Sequence, residues 1–100
     1  MMADASLAIT TEYVKTFLAM IGKGIAWPDS VKVLIDSQDL HQLDVLHVMT
    51  HGTVVASDKE TADGATFLMI GTTTDDVQIR VEFWADPNQL SMRILDVSRI

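Results

Sequence analysis

The 100 residues include no cysteine, which excludes disulfides, thiolate nucleophiles and thiolate metal sites. Positive charge is scarce: Lys and Arg total 7 against 14 Asp and Glu, a formal net charge of −7. So acidic a surface repels phosphate backbones unless its few cations gather on one face. The charge therefore argues against a nucleic-acid partner and is compatible with a basic protein partner. Long apolar runs are missing too, because Lys23, Asp29, Lys32 and Asp36 interrupt the longest stretches, so no membrane span is expected. The opening Met1-Met2-Ala3-Asp4 has no basic region ahead of an apolar one, which gives no secretory leader and an expected cytoplasmic location. No repeat, low-complexity tract or linker is evident.

Hydrophobic residues make up 48% of the chain and charged residues 21%, a composition that folds rather than stays disordered. The length suits one domain with one core, here residues 1–100 with a helical part over about 7–52 and a sheet part over about 53–100. From Thr10 to Ile21, Val14, Phe17, Leu18 and Ile21 fall at helical spacing, with Thr10 as cap and Gly22 and Gly24 as stops. After Trp27-Pro28, Asp29 or Ser30 caps a second helix over Val31, Leu34 and Ile35, although Val31, Val33 and Ile35 also alternate as a strand would. Asp39 is the expected cap of a third helix, with Gln42 in the capping-box position and Gly52 as its end. Leu40, Leu43, Val45, Leu46, Val48 and Met49 cover most of the circumference of that helix, which predicts a central place in the core.

Four antiparallel strands are expected at Thr53–Ser57, Ala65–Thr72, Val77–Ala85 and Leu90–Val97. Asp58–Gly64, Thr73–Asp76 and Asp86–Gln89 connect them, with Asp63-Gly64 and Pro87-Asn88 as turn dipeptides. Val77, Ile79, Val81 and Phe83 alternate with Gln78, Arg80, Glu82 and Trp84, the pattern of a half-buried strand. Phe67-Leu68-Met69-Ile70 is apolar on both faces. The expected fold is α+β, with two or three N-terminal helices packed on one face of a four-stranded antiparallel sheet.

The order helix, Gly52, strand, loop, strand to Gly71 and two further strands resembles an uncharacterised family of small bacterial domains of unknown function. Their layout is similar to RelE/ParE-type toxins. Leu40, Asp44-Val45, Val48, Gly52, Val54-Val55, Phe67, Gly71, Ile79 and Val81 carry the resemblance, which covers roughly Trp27 to the C-terminus. It implies the fold. Members of that family carry a histidine and arginines on the preceding helix, suited to acid–base chemistry and phosphate clamping. Registered on Asp44-Val45, those positions fall near Ser30, Leu34 and Gln38. None matches, so no catalytic residue is carried over.

Asp44, His47 and His51, spaced i, i+3 and i+7, project within one sector of the third helix. They form a partial ligand set for zinc, or else the solvated stripe that any amphipathic helix requires. The second pattern is the commoner, so neither metal nor cofactor is expected. A hairpin pairing Ala85 with Leu90 places Glu82 opposite Arg93 and Arg80 opposite Leu95. Arg80, Glu82 and Arg93 would be the catalytic cluster of a nuclease with a displaced site. A cross-strand ion pair between Glu82 and Arg93 explains the same residues more simply. Phe67, Met69, Trp84 and Leu95 would join them in an apolar patch that either marks a partner surface or is covered by the first helix or the N-terminal segment, two readings of equal weight. The sequence thus points to a non-catalytic interaction module, a homodimer or a binder of another protein through its outer sheet face. A nuclease and an acidic decoy or antitoxin-like binder are the alternatives.

Overall fold

The computed structural model describes residues 12, 14–16, 18–19, 24–61, 64–86 and 91–100, with the backbone alone at 58–61. The expected cap at Thr10, the helix residues Phe17 and Ile21, the stop at Gly22 and the turn at Pro87-Asn88 lie outside the described residues. The fold is α+β. Its sheet has five strands in the order β1-β5-β4-β3-β2: β1 Ile25–Ala26, β2 Thr53–Thr61, β3 Gly64–Thr72, β4 Gln78–Asp86 and β5 Ser91–Arg99. β2 to β5 form an antiparallel meander, and β1 pairs parallel with β5. The expected four-stranded antiparallel sheet is therefore corrected to a mixed one. Ile25-Ala26 is too short to show a period of two, and nothing local announces that it docks beside Met92 and Arg93.

The segment from Val31 to Ile35 is helical, within a helix spanning Asp29–Ser37. Pro28 stands at its N-cap with φ −57° and ψ 149°, and no side chain caps it. Asp29 in the first turn complements the positive helix end. Val31 and Ile35, one turn apart, are buried, while Val33 between them is 67% exposed. The helix ends in a Schellman motif. Asp39 N–H donates to Asp36 O (3.1 Å), Leu40 N–H donates to Ile35 O (3.0 Å), and Asp39 takes the left-handed φ of 59°. Buried Leu40 then joins the same core cluster as Ile35.

Asp39 is thus not the cap of the next helix, which spans Gln42–His51 and is capped by His41. His41 N–H donates to Asp44 Oδ2 (2.9 Å), and the His41 side chain accepts from the Asp44 N–H in return. The reciprocal geometry is that of a capping box, with histidine and aspartate replacing the usual Ser/Thr and Glu/Gln. Nor do the apolar residues of this helix all turn to the core. Val45, Val48 and Met49 are buried, but Leu43 is 76% exposed and Leu46 only half-buried. Gly52 closes the helix, its N–H donating to Val48 O (2.6 Å), with extended rather than left-handed φ and ψ of −81° and −168°. Glycine is required there by proximity: a Cβ would lie 2.5 Å from Val48 O and 2.6 Å from Ile70 O.

Val14 in the N-terminal helical stretch, the buried faces of both later helices and the inward residues of β2 to β5 form one apolar cluster. Phe67 and Phe83 meet inside it, ring centroids 5.6 Å apart. The outer edge of β5 is dressed twice. At one end lies β1, where Met92 N–H also donates to Gly24 O (3.0 Å). At the other, the Gln38 side chain stands in for a strand: Nε2 donates to Val97 O (2.8 Å) and Leu34 O (3.1 Å), and Oε1 accepts from Arg99 N–H (2.8 Å).

Candidate interaction surface

Antiparallel partners share a face, so the register defines the sheet surface opposite the apolar cluster row by row. Thr66, Trp84 and Arg93 form one row, Leu68, Glu82 and Asp96 the next, and Ile70, Arg80 and Ser98 the third. Each residue of these rows is half-buried or exposed, whereas Ile79, Val81, Phe83 and Ala85 between them are buried. The alternation of β4 therefore sets this face.

Two expected members of the patch are on the other side. Phe67 is 5% exposed and Met69 0%, both in the core. Leu68 and Ile70 replace them, with Thr66. Since Phe67-Leu68-Met69-Ile70 is apolar throughout, alternation carried no parity there, and only the pairing of Phe67 with Phe83 decides it.

Register also corrects the charge pairs. Asp86 pairs with Ser91 and Trp84 with Arg93, two residues out of step with a hairpin closed at Ala85 and Leu90. Between Glu82 and Phe83 the ladder shifts again, because Leu95 bulges out of β5 and stands 40% exposed. Glu82 consequently faces Asp96 instead of Arg93, and Arg80 faces Ser98 instead of Leu95. Two carboxylates directly opposite are mutually repulsive. As a nuclease base, Glu82 would bring Asp96 with it against any phosphate held by Arg80 or Arg93.

Trp84 is half-buried because it lies over a glycine. A Cβ at Gly64 would come within 2.9 Å of Trp84 Cζ2 and would clash with Ala85 O, and Gly64 adopts φ 151°. The indole thus covers backbone that a side chain would otherwise occupy. Beside it runs an open groove of about 550 Å³, lined by Thr66, Trp84, Asp86, Arg93 and Leu95 among others.

On the helix, His47 and His51 place their ring centroids 4.5 Å apart at a 44° tilt. Asp44 directs Oδ2 to the His41 backbone. Among the described residues no group of three or more His, Cys, Asp or Glu side chains comes together to hold a metal ion.

No protein-family model, curated protein or solved structure matches the chain. What fold and surface define is an α+β domain with a mixed five-stranded sheet, whose face away from the core interleaves aliphatic, indole and charged side chains. Among the described residues, no helix is long and apolar enough to cross a membrane.

Proposed function

We propose that this chain is a non-catalytic protein-interaction module of toxin-like layout that binds through its outer sheet face. The observation that carries this reading is the composition of that face. Val14 and both later helices pack into the single core on the inward side, and the described helices leave the outward rows uncovered. A face meant only for water alternates polar residues throughout. This one offers Leu68, Ile70, Trp84 and the bulged Leu95, set among Arg80, Glu82, Arg93 and Asp96. Aliphatic and indole surface with interspersed charge matches the centre and rim of protein interfaces, and tryptophan and arginine are the commonest anchors within them.

Immobilised wild-type protein and its Leu68→Glu variant, each exposed to cell extract and to soluble wild-type protein, test the reading. Retention of a component by wild type and its loss on the variant is the expected outcome; equal behaviour of the two removes the face from consideration. Incubation with RNA tests the opposite class. Cleavage that disappears in Glu82→Ala would overturn the non-catalytic reading.

A further inference from the structure

We propose that the occupant of the outer face is a second copy of this chain, related by a two-fold axis that crosses the strands midway between the Glu82 and Arg80 rows. The inference rests on the interaction reading above and adds the partner and its register.

Closed pairs are self-complementary, so the face must match its own image. Two sheets stacked face to face keep their strands nearly aligned, about 30° apart. The two-fold axis then lies in the interface plane, either along the strands or across them. An axis along β4 keeps every row and sets Glu82 on Glu82 and Arg80 on Arg80. A crossing axis through the Glu82 row stacks Glu82 and Asp96 on their own copies, and one through the Arg80 row stacks arginine on arginine. Each of these brings like charges into a drying interface, which costs several kcal/mol.

Placing the axis midway between those rows removes every such clash. Glu82 then meets Arg80 of the second copy, and symmetry repeats the pair. Leu68 meets Ile70, also twice, and Asp96 comes to Ser98. The half-step on the other side of the Glu82 row is poorer. It brings Asp96 to Arg93, but it seats the Glu82 carboxylate on the Trp84 indole, whose π face is negative, and sets Leu68 against Thr66, so the central apolar pair is lost.

Size also suffices. Four strands about 4.8 Å apart and four rows about 6.8 Å deep, the three above and the exposed Thr72–Gln78 row beyond them, give roughly 500 Å² of footprint per copy. The pair covers about 1,000 Å², the lower bound for a specific interface. A reversible dimer of micromolar affinity is expected on that scale.

Sedimentation equilibrium across about 1–200 µM tests the proposal, with circular dichroism to show that each variant is folded. Wild type is expected to dimerise, and Arg80→Glu and Glu82→Arg each to raise Kd by about tenfold or more, since every substitution acts twice in the pair. The double variant Arg80→Glu/Glu82→Arg, which restores opposite charges across the axis, is expected to return to within about threefold of wild type. Monomeric wild type at the highest concentration overturns the second copy. Whether the face binds anything else is then decided separately by the Leu68→Glu extract comparison. Single variants that leave the dimer intact, or a double variant that fails to restore it, overturn the proposed axis.

Discussion

Gly52→Ala isolates the contact on which the helix-to-sheet junction depends. The Gly52 φ of −81° is open to alanine, so no backbone penalty enters, and shortening the list of unfolded conformers favours alanine by about 0.4–1 kcal/mol. Against that stand two carbonyl oxygens. The new methyl would sit 2.5 Å from Val48 O and 2.6 Å from Ile70 O, below the 3.0 Å that real Cβ atoms respect. Both are backbone atoms, one in the helix and one in β3, and neither can rotate away. The end of the Gln42–His51 helix must therefore retreat from β3 by about half an ångström, loosening Val48 and Met49 in a close-packed core. Overpacking of this kind costs about 1–3 kcal/mol, and two rigid obstacles place this case in the upper half. The net loss is about 1–2.5 kcal/mol, or roughly 4–20 °C in Tm for a domain of this size. Thermal unfolding followed by circular dichroism reads it directly. A variant that melts at or above the wild-type temperature would refute the account of why glycine stands there.

Asp39→Gly should stabilise by about 0.5 kcal/mol in urea unfolding, because the left-handed φ of 59° costs aspartate more than glycine; a loss of stability would mean the Asp39 side chain contributes something beyond its backbone shape. Gln38→Ala should cost about 1–2 kcal/mol, since it strips the Val97 carbonyl and the Arg99 N–H of their partner. Gln38→Glu, which keeps the acceptor and loses the donor, should fall between, and urea midpoints of the three proteins in any other order would contradict the strand-mimic role. Zinc at about 10 µM should move the Tm by less than about 1 °C, because two imidazoles with no third ligand among the described residues hold the ion weakly. A rise of several degrees that disappears in His47→Ala would show a metal site at the His47–His51 pair.

Legibility in the sequence followed how much each stretch commits to one period. β4 was readable because Arg80 and Glu82 interrupt its apolar residues at every second position, and with it came the correct face for Trp84. β3 was readable as a strand but not as a face, since Phe67 to Ile70 are apolar without a break. Strand pairing resolves that choice, and pairing is a long-range property. The bulge at Leu95 and the extension of β2 to Thr61 likewise depend on neighbouring strands, so Glu82 met Asp96 and the supposed Asp58–Gly64 loop became largely strand. β1 is two residues long and has no signature of its own. Around Asp39 the difficulty was different. Aspartate serves helix starts and left-handed helix ends alike, and the box formed by His41 and Asp44 uses residue types that do not advertise one. The sequence-level resemblance rested on core and turn positions, which many α+β layouts share.

The double dressing of β5 has a consequence for the order in which the molecule assembles. Among the described residues every other strand–strand contact joins neighbours along the chain, but Ile25 meets Met92 and Gln38 meets Val97, across most of the sequence. Contacts that close such long loops form late, after local hairpins have defined the surface they dock on. During synthesis the helices leave the ribosome well before Met92, Ile94 and Val97, the side chains their own end of the core requires. The early half of the chain must wait with its apolar faces uncovered, and its final fastening is two residues of parallel strand and one glutamine amide. Those fastenings are the first places where the folded protein should reopen, and amide exchange should be fastest at Ile25, Ala26 and Arg99 and slowest along β4.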